Sequence, residues 1–178
     1  MELTNKQLQL FESLTEKYPD FPIKGITFKD LSLLYTSNEA LTELESLIIS
    51  HIKPLNPDSV IGCDARGFIL GTLVSRCLKI PLVLARKAGK LPGVLLSKKY
   101  GLEYGSAELQ MHKHIITKYK SPVITDDILA TGGTVLAITD MLKEVDIIPN
   151  SYFFLSEIVD LEARKKLQEI APVLSILK

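Results

Sequence analysis

Four short runs of apolar, β-branched and aromatic residues recur along this chain. They are residues 58–64 (DSVIGCD), 81–86 (PLVLAR), 121–127 (SPVITDD) and 151–159 (SYFFLSEIV), and helix-length segments separate them. Strands that alternate with helices form a parallel sheet joined by right-handed crossovers. The sequence therefore predicts an α/β fold with a central, mostly parallel sheet flanked by helices.

Two helices are predicted before the first of these strands. Apolar residues between Leu3 and Leu14 have roughly helical spacing, and the prolines of the following YPDFP end this helix near Lys17. Residues 36–52 begin with serine and asparagine caps, carry early acids and repeat apolar positions every three or four residues. These residues predict a second helix.

Composition places the chain among ordinary globular proteins. No repeat, low-complexity tract or linker divides its 178 residues, and 46% of them are hydrophobic, so one domain spanning residues 1–178 is expected. The 21 basic and 21 acidic side chains cancel. Because the chain has no net charge that would attract nucleic acid or a membrane surface, we expect neither as a partner.

Targeting signals and cysteine usage point to the cytoplasm. The N-terminal residues carry acids and amides where an export signal has a basic start and an apolar run. Every apolar stretch falls short of the ~20 residues that a membrane span requires. Cys63 and Cys77 lie in apolar segments without metal-binding spacing, and we expect buried free thiols rather than a zinc site or a disulfide.

The stretch VITDDILATGGTVL, residues 123–136, has the pattern of a ligand-binding site. A strand runs into Asp126 and Asp127, a turn at 130–134 follows, and an apolar helical pattern begins. Ligands of an open parallel sheet collect beyond the carboxyl ends of its strands, and turn amides at a helix N-terminus bind phosphate. Paired carboxylates repel phosphate, so the vicinal hydroxyls of a ribose are their natural partner. A βα turn with an acidic N-cap is the alternative interpretation.

The connection KAGKLPGVLLSKKYGLEYGSAELQ, residues 87–110, is rich in glycine and lysine. It is too long for an ordinary link between a strand and the next element. We therefore expect either a lid or an extra hairpin here.

Four stretches, in this order, resemble the adenine phosphoribosyltransferases, which are type I phosphoribosyltransferases. They are 18–30 (YPDFPIKGITFKD), 62–71 (GCDARGFILG), 86–113 (RKAGKLPGVLLSKKYGLEYGSAELQMHK) and 123–135 (VITDDILATGGTV). The resemblance runs over nearly the whole chain. It implies the type I phosphoribosyltransferase fold, with a small base-binding hood at about residues 1–30 and a flexible lid at about residues 87–106.

The same resemblance implies an activity. Adenine and 5-phosphoribosyl 1-pyrophosphate (PRPP) would be converted to AMP and pyrophosphate in a purine salvage reaction with an oxocarbenium-like transition state. Mg²⁺ would bind mainly through PRPP and pyrophosphate, and the enzyme would be a homodimer.

The family pattern also implies a role for each matching residue. The 5′-phosphate would be held by Ala130, Thr131, Gly132, Gly133 and Thr134, while Asp126 and Asp127 would face the ribose and stabilise its positive charge. The residues near pyrophosphate would be Asp64, Ala65, Arg66, Arg86, Lys87 and Lys90. Phe28 would stack on adenine, and the backbone of Thr27 would accept from its amino group. Glu103 resembles the proposed general acid/base, with Tyr104 beside it in the lid.

Other interpretations stay open from the residues alone. The cations at 86–90 could form a solvated face, Phe28 could be a core aromatic, and Glu103 an exposed loop acid. The chain could also use another purine base, such as xanthine or guanine, or be a regulator that senses PRPP or nucleotide. A regulator needs a DNA-binding module, and the N-terminal residues hold one predicted helix and no basic cluster. The GITFKD and LEYG stretches favour adenine.

Three residues depart from the usual family pattern. Lys24 replaces a proline, and Lys29 replaces an arginine. A lysine at position 29 keeps the charge but lacks the bidentate guanidinium of arginine, so any pyrophosphate contact there is expected to be weaker. Thr125 is polar where an apolar strand residue is usual.

Overall fold

The computed structural model of the protein describes residues 3–21, 24–25, 27–101 and 106–178. The helices are α1 (Asn5–Ser13), α2 (Asn38–Leu47), α3 (Gly67–Leu78), α4 (Lys113–Ile116), α5 (Gly133–Lys143) and α6 (Ala163–Gln168). The strands are β1 (Glu16–Pro19), β2 (Thr27–Asp30), β3 (Ser59–Cys63), β4 (Leu82–Lys87), β5 (Leu95–Gly101), β6 (Ser106–His112), β7 (Pro122–Leu129), β8 (Ser151–Glu157) and β9 (Val173–Leu177).

The central sheet of the described residues has the strand order β5-β6-β4-β3-β7-β8-β9. The strands from β4 to β9 in this order run parallel, and β6 and β5 extend one edge antiparallel. The predicted α/β fold with a mostly parallel sheet is confirmed. Strand β9 was not predicted, although its Val-Leu-Ser-Ile-Leu run has the composition of a strand.

The N-terminal region differs from its prediction at one boundary. Helix α1 ends at Ser13 rather than near Lys17, because β1 pairs antiparallel with β2, with Tyr18 opposite Phe28. Helix α2 lies within the predicted range, and its Ser37 cap accepts a hydrogen bond from the backbone N–H of Ala40 at 3.2 Å. A π-helical turn at Ile48–Ile52 completes that range.

The long glycine-rich connection contains the predicted extra hairpin. Strands β5 and β6 pair over their whole length, from Leu95 opposite His112 to Gly101 opposite Ser106. Residues 102–105 lie outside the described part of the chain, and Glu103 and Tyr104 are among them. The lid function of this segment stays a prediction.

The core fills both faces of the sheet. One apolar cluster includes Ile138, Tyr152 and Phe154, and the other includes Phe11 and Phe153. All seven residues of β8 are buried, which explains why that strand reads as an almost continuous apolar run. No described helix is long and apolar enough to cross a membrane.

The two cysteines differ in burial. Both are free thiols, as expected, but Cys63 is buried whereas Cys77 is only partly buried. Burial raises the pKa of each thiol above its ordinary value. Neither is arranged for thiolate chemistry.

Helix α3 packs closely against β7 at the first residue of the helix, Gly67. A Cβ atom at Gly67 would lie 2.7 Å from the carbonyl oxygen of Thr125 and 2.9 Å from Oδ1 of Asp126, so only glycine allows this approach. The buried Thr125 hydroxyl donates to the carbonyl of Ile61 at 3.3 Å. The polar residue at 125 therefore has a partner inside the sheet, and the N-terminus of α3 lies beside the paired acids.

Candidate active site

The predicted phosphate turn lies between the end of β7 and the start of α5. Gly132 has a φ of 78°, a left-handed conformation that glycine adopts without a Cβ penalty. The N-cap residue Gly132 has no side chain to cap α5, and the N–H of Gly133 makes only a long hydrogen bond of 3.5 Å to the Thr131 hydroxyl. The amides of this first turn, where the helix dipole is positive, can therefore bind an anion. A small cavity of about 60 Å³ is lined by this turn together with Asp126 and Phe154. A left-handed glycine before a helix N-terminus is a feature that anion-binding turns use, and the phosphate role of this turn stays a prediction.

Paired acids lie in the second half of β7, which continues to Leu129 rather than ending at Asp127 as predicted, because Ile128 and Leu129 still pair with β8. The backbone N–H of Asp127 donates to Oδ1 of Asp126 at 2.9 Å. Burial raises the pKa of Asp126 well above its usual range, and the neighbouring charge of Asp127 raises it further. A site that holds two carboxylates this close stabilises a positive charge placed near them.

Arg66 connects the acids to the aromatic side of the site. This residue precedes α3, and its guanidinium forms an ion pair with the carboxylate of Asp127. Its Cζ atom also lies 5.4 Å from the ring centroid of Phe28, within cation–π range. Phe28 in turn meets Phe21 edge to face, with 5.3 Å between ring centroids. The structure therefore brings the predicted base, ribose and pyrophosphate residues together.

Of the cations predicted at 86–90, only the Arg86 side chain pairs with Asp64. Strands β3 and β4 run parallel and end side by side, which places Nε of Arg86 3.5 Å from Oδ2 of Asp64. The backbone N–H of Lys87 also donates to this carboxylate at 3.4 Å. Nη1 of Arg86 donates to the carbonyl of Lys90 at 3.4 Å, while the Lys90 residue itself is exposed. Arg86 is thus held beside Asp64.

One open cleft of about 1130 Å³ collects most of these groups. Its lining includes the predicted site residues Thr27, Phe28, Asp64, Ala65, Arg66, Lys87, Asp126, Asp127, Ala130, Thr131 and Thr134. Arg86, Lys90, Gly132 and Gly133 lie outside this lining, although the two glycines line the small phosphate cavity. Glu103 and Tyr104 lie outside the described residues.

One wall of the cleft was missed by the sequence interpretation. It is formed by residues 156–161 and by Lys178. The apolar run at 151–159 predicts a strand and nothing more, whereas β8 ends at Glu157. The signal that could have identified this wall is its position, since residues that follow a parallel strand line the ligand edge of the sheet.

Comparison with known proteins identifies the family. Residues 33–148 match the phosphoribosyl transferase domain. The chain is 43% identical over 167 residues to an adenine phosphoribosyltransferase of Mesomycoplasma hyopneumoniae, covering 92% of this chain and 96% of that protein. This chain belongs to the adenine phosphoribosyltransferase family. A second member, from Clostridium beijerinckii, is 40% identical over 159 residues, covering 89% of this chain and 92% of its own.

A solved structure of the family agrees with the fold. The adenine phosphoribosyltransferase of Saccharomyces cerevisiae, in complex with an imino-altritol bisphosphate and adenine, superposes with a TM-score of 0.88 at 30% identity. The match covers 98% of this chain and 100% of that one. The predicted family and fold are confirmed, and the role of each adenine phosphoribosyltransferase site residue stays a prediction.

Proposed function

We propose that this protein transfers the 5-phosphoribosyl group of PRPP to adenine, forming AMP and pyrophosphate. The observation that carries the proposal is the position of Arg66, which contacts both the aromatic ring of Phe28 and the carboxylate of Asp127 in one cleft. An aromatic platform, a paired-acid site and a phosphate turn are the groups that a nucleobase, a ribose and a 5′-phosphate need. Family membership supports the same activity.

PRPP is assigned to the phosphate turn and the paired acids. The amides at the start of α5 would hold the 5′-phosphate, with the hydroxyls of Thr131 and Thr134 as further donors. Asp126 and Asp127 would then face the ribose hydroxyls. Both carboxylates are held on β7, so they need not reorient as positive charge develops on the ribose.

Adenine is assigned to the end of the cleft that contains Phe28. Stacking on this ring binds any purine, so selectivity must come from hydrogen bonds. The backbone carbonyl of Thr27 would accept from the 6-amino group of adenine, whereas it has no proton to give to the 6-oxo group of hypoxanthine.

Bond making and bond breaking follow from this placement. N9 of adenine would attack C1′ while the bond from C1′ to the pyrophosphate oxygen breaks, and pyrophosphate leaves with the electron pair. The proton released by the imidazole ring would pass to the carboxylate of Glu103. Charge that develops on the sugar would be stabilised by Asp126 and Asp127.

The cleft suits a Mg²⁺ ion that takes most of its ligands from the substrate. Among the described residues, no group of three or more His, Cys, Asp or Glu side chains is placed to hold a metal ion. The carboxylates of Asp126 and Asp127 nevertheless line an open cleft, and Mg²⁺ prefers one or two carboxylates, water and substrate phosphates. When bound, Mg²⁺ would neutralise charge on the leaving pyrophosphate.

The decisive experiment offers the protein PRPP and Mg²⁺ with adenine, hypoxanthine, guanine or xanthine in separate reactions. AMP is expected to form with a far higher kcat/KM than any other nucleotide. Comparable values for hypoxanthine and adenine would contradict the adenine assignment while leaving phosphoribosyl transfer intact. Binding of PRPP without any transfer would favour a nucleotide sensor.

We also propose that the protein is a homodimer. Leu84 belongs to β4, which lies between β3 and β6, yet its side chain is exposed, as is that of Ile69 on α3. Leu82, two residues before Leu84, lies 3.1 Å from a Cβ built on Gly71, so Leu84 is on the same side of the sheet as α3. Light scattering should give a dimer mass for the wild type and a monomer mass for Leu84→Glu.

A further inference from the structure

Arg164 lies at the centre of a hydrogen-bonded network outside the predicted site. Its Nε atom lies 2.9 Å from both carboxylate oxygens of Glu157, and Nη1 donates to the carbonyl of Val173 at 2.7 Å. Nη2 donates to the hydroxyl of Ser175 at 2.7 Å, and that hydroxyl donates to Glu157 at 2.9 Å. One side chain on α6 thereby joins the end of β8 to β9.

Stability alone is a weak reason for such a network. Glu157 is only 4% exposed, and a buried ion pair must recover the cost of taking two charges out of water. Apolar side chains of similar size often stabilise a core as well or better. The planar guanidinium of arginine has several N–H donors in fixed directions, so it fixes the orientation of every group that accepts a hydrogen bond from it.

The first group that this geometry orients is the phosphate turn. Ala163, the residue before Arg164, is the first residue of α6. A Cβ atom built on Gly132 would lie 3.1 Å from Cβ of Ala163, so the start of α6 packs directly against the turn. A shift of α6 would therefore move the surface on which the turn rests.

The second group is the wall of the cleft. Residues 158–161 follow Glu157 directly and line the same cleft as Phe28. The backbone N–H of Ile158 donates to the carbonyl of Leu129 at 2.9 Å, which ties this wall to the end of β7. Fixing Glu157 at the end of β8 thus fixes the point from which the wall begins.

On the basis of the function proposed above, we propose that Arg164 is a positioning residue for both substrates. Through Glu157 it sets the cleft wall that adenine meets, and through the start of α6 it supports the turn that holds the phosphate of PRPP. Arg164 itself belongs to the lining of neither the cleft nor the small phosphate cavity. Its loss should therefore weaken the binding of both substrates together.

The test compares Arg164→Gln with Arg164→Lys and with Lys166→Gln. The Lys variant keeps the charge but loses the fork, and Lys166 is an exposed cation on the same helix. We expect Arg164→Gln to raise KM for PRPP and for adenine by about 10-fold to 100-fold, with a smaller effect on kcat, since small misplacements of a site carry costs of this size. Arg164→Lys should recover part of the loss, and Lys166→Gln should behave as wild type.

A purely structural role predicts a different outcome. In that case Arg164→Gln would lower the thermal midpoint but leave both KM values unchanged when assayed well below it, and the positioning role would be wrong. If Arg164→Gln fails to fold, Ser175→Ala removes the two hydrogen bonds of the Ser175 hydroxyl, from Arg164 and to Glu157, and should raise both KM values by a smaller factor. Unchanged KM values in that variant would equally overturn the inference.

A binding measurement separates this inference from the proposed reaction. Ribose 5-phosphate, titrated calorimetrically, reports on the phosphate turn without any chemistry. If the wild type binds it but forms no AMP, the proposed reaction fails, and the affinity of Arg164→Gln still decides whether Arg164 positions the turn. If the wild type neither binds ribose 5-phosphate nor forms AMP, both proposals fail.

Discussion

The guanidinium of Arg66 forms an ion pair with the carboxylate of Asp127 inside the cleft. Arg66 is predicted to lie near pyrophosphate, and Asp127 is predicted to face the ribose. Their pairing neutralises an acid whose charge the proposed transition state needs. When PRPP binds, Arg66 would exchange this acid for pyrophosphate oxygens, leaving the charge of Asp127 for the sugar.

Asp127→Asn should lower kcat by about 10²-fold to 10³-fold, the usual cost of removing one electrostatic stabiliser. It should also move the acid limb of kcat/KM to lower pH. Burial raises the pKa of Asp126 and the charge of Asp127 raises it further, so removing that charge lets Asp126 ionise at lower pH. Rate profiles against pH test this, because kcat/KM reports the free enzyme. If the acid limb of kcat/KM stays at the same pH, Asp126 is not the group whose ionisation controls activity.

Asp126→Asn should raise the thermal midpoint at neutral pH while lowering kcat. The folded-state pKa of Asp126 lies above its unfolded value, so its ionisation costs stability as pH rises through the folded pKa. The asparagine oxygen can still accept from the backbone N–H of Asp127. Midpoints at neutral and acid pH check the sign, since the difference should vanish below the unfolded-state pKa, where the acid is protonated in both the folded and the unfolded chain. A lower midpoint at neutral pH would contradict it.

Gly132→Ala should raise KM for PRPP and lower the thermal midpoint. The left-handed conformation costs a non-glycine residue about 1–2 kcal/mol, and the new methyl group would press on Ala163. In an Ala163→Gly background the new methyl group has no Cβ of residue 163 to press on, so Gly132→Ala should raise KM for PRPP by a smaller factor there. Equal increases in both backgrounds would mean that α6 does not support the turn.

Phe28→Ala should raise KM for adenine by roughly 10-fold to 100-fold, since base stacking on an aromatic ring contributes about 1–3 kcal/mol. KM for PRPP should change much less. Phe21→Ala, which removes only the neighbouring ring, serves as the control. A larger effect on PRPP than on adenine would place Phe28 outside the base site.

Glu103→Gln should lower kcat by about 10²-fold to 10⁴-fold, the usual range for general acid/base catalysis. Affinity for PRPP should stay near that of the wild type, because the predicted phosphate turn at 130–134 is a separate segment. Glu108→Gln on β6 is the matched control, since its carboxylate accepts a hydrogen bond from Ser97 within the hairpin. Full activity of the Glu103→Gln variant would leave Glu103 without a catalytic role.

Much of the fold was predictable because its signals are local. The strand residues at 59–63 and 122–125 are buried on both faces, and most of them are apolar, so they read as nearly continuous apolar runs. Strand β1 was not predictable in this way, since its four residues are all exposed and carry no burial pattern. Only its pairing with β2 makes it a strand, and that pairing also ends α1 early.

By itself, the sequence determined the α/β fold, the family and the contiguous motif from Asp126 to Thr134. Periodicity and short motifs depend only on residues that are close together in the chain. Only the tertiary structure decided that Arg66 pairs with Asp127 and that Arg164 donates hydrogen bonds to Glu157 and Ser175. These contacts join separate elements, so they depend on how α3 and α6 pack against the sheet. Packing geometry of this kind has no local signature that spacing or composition could reveal.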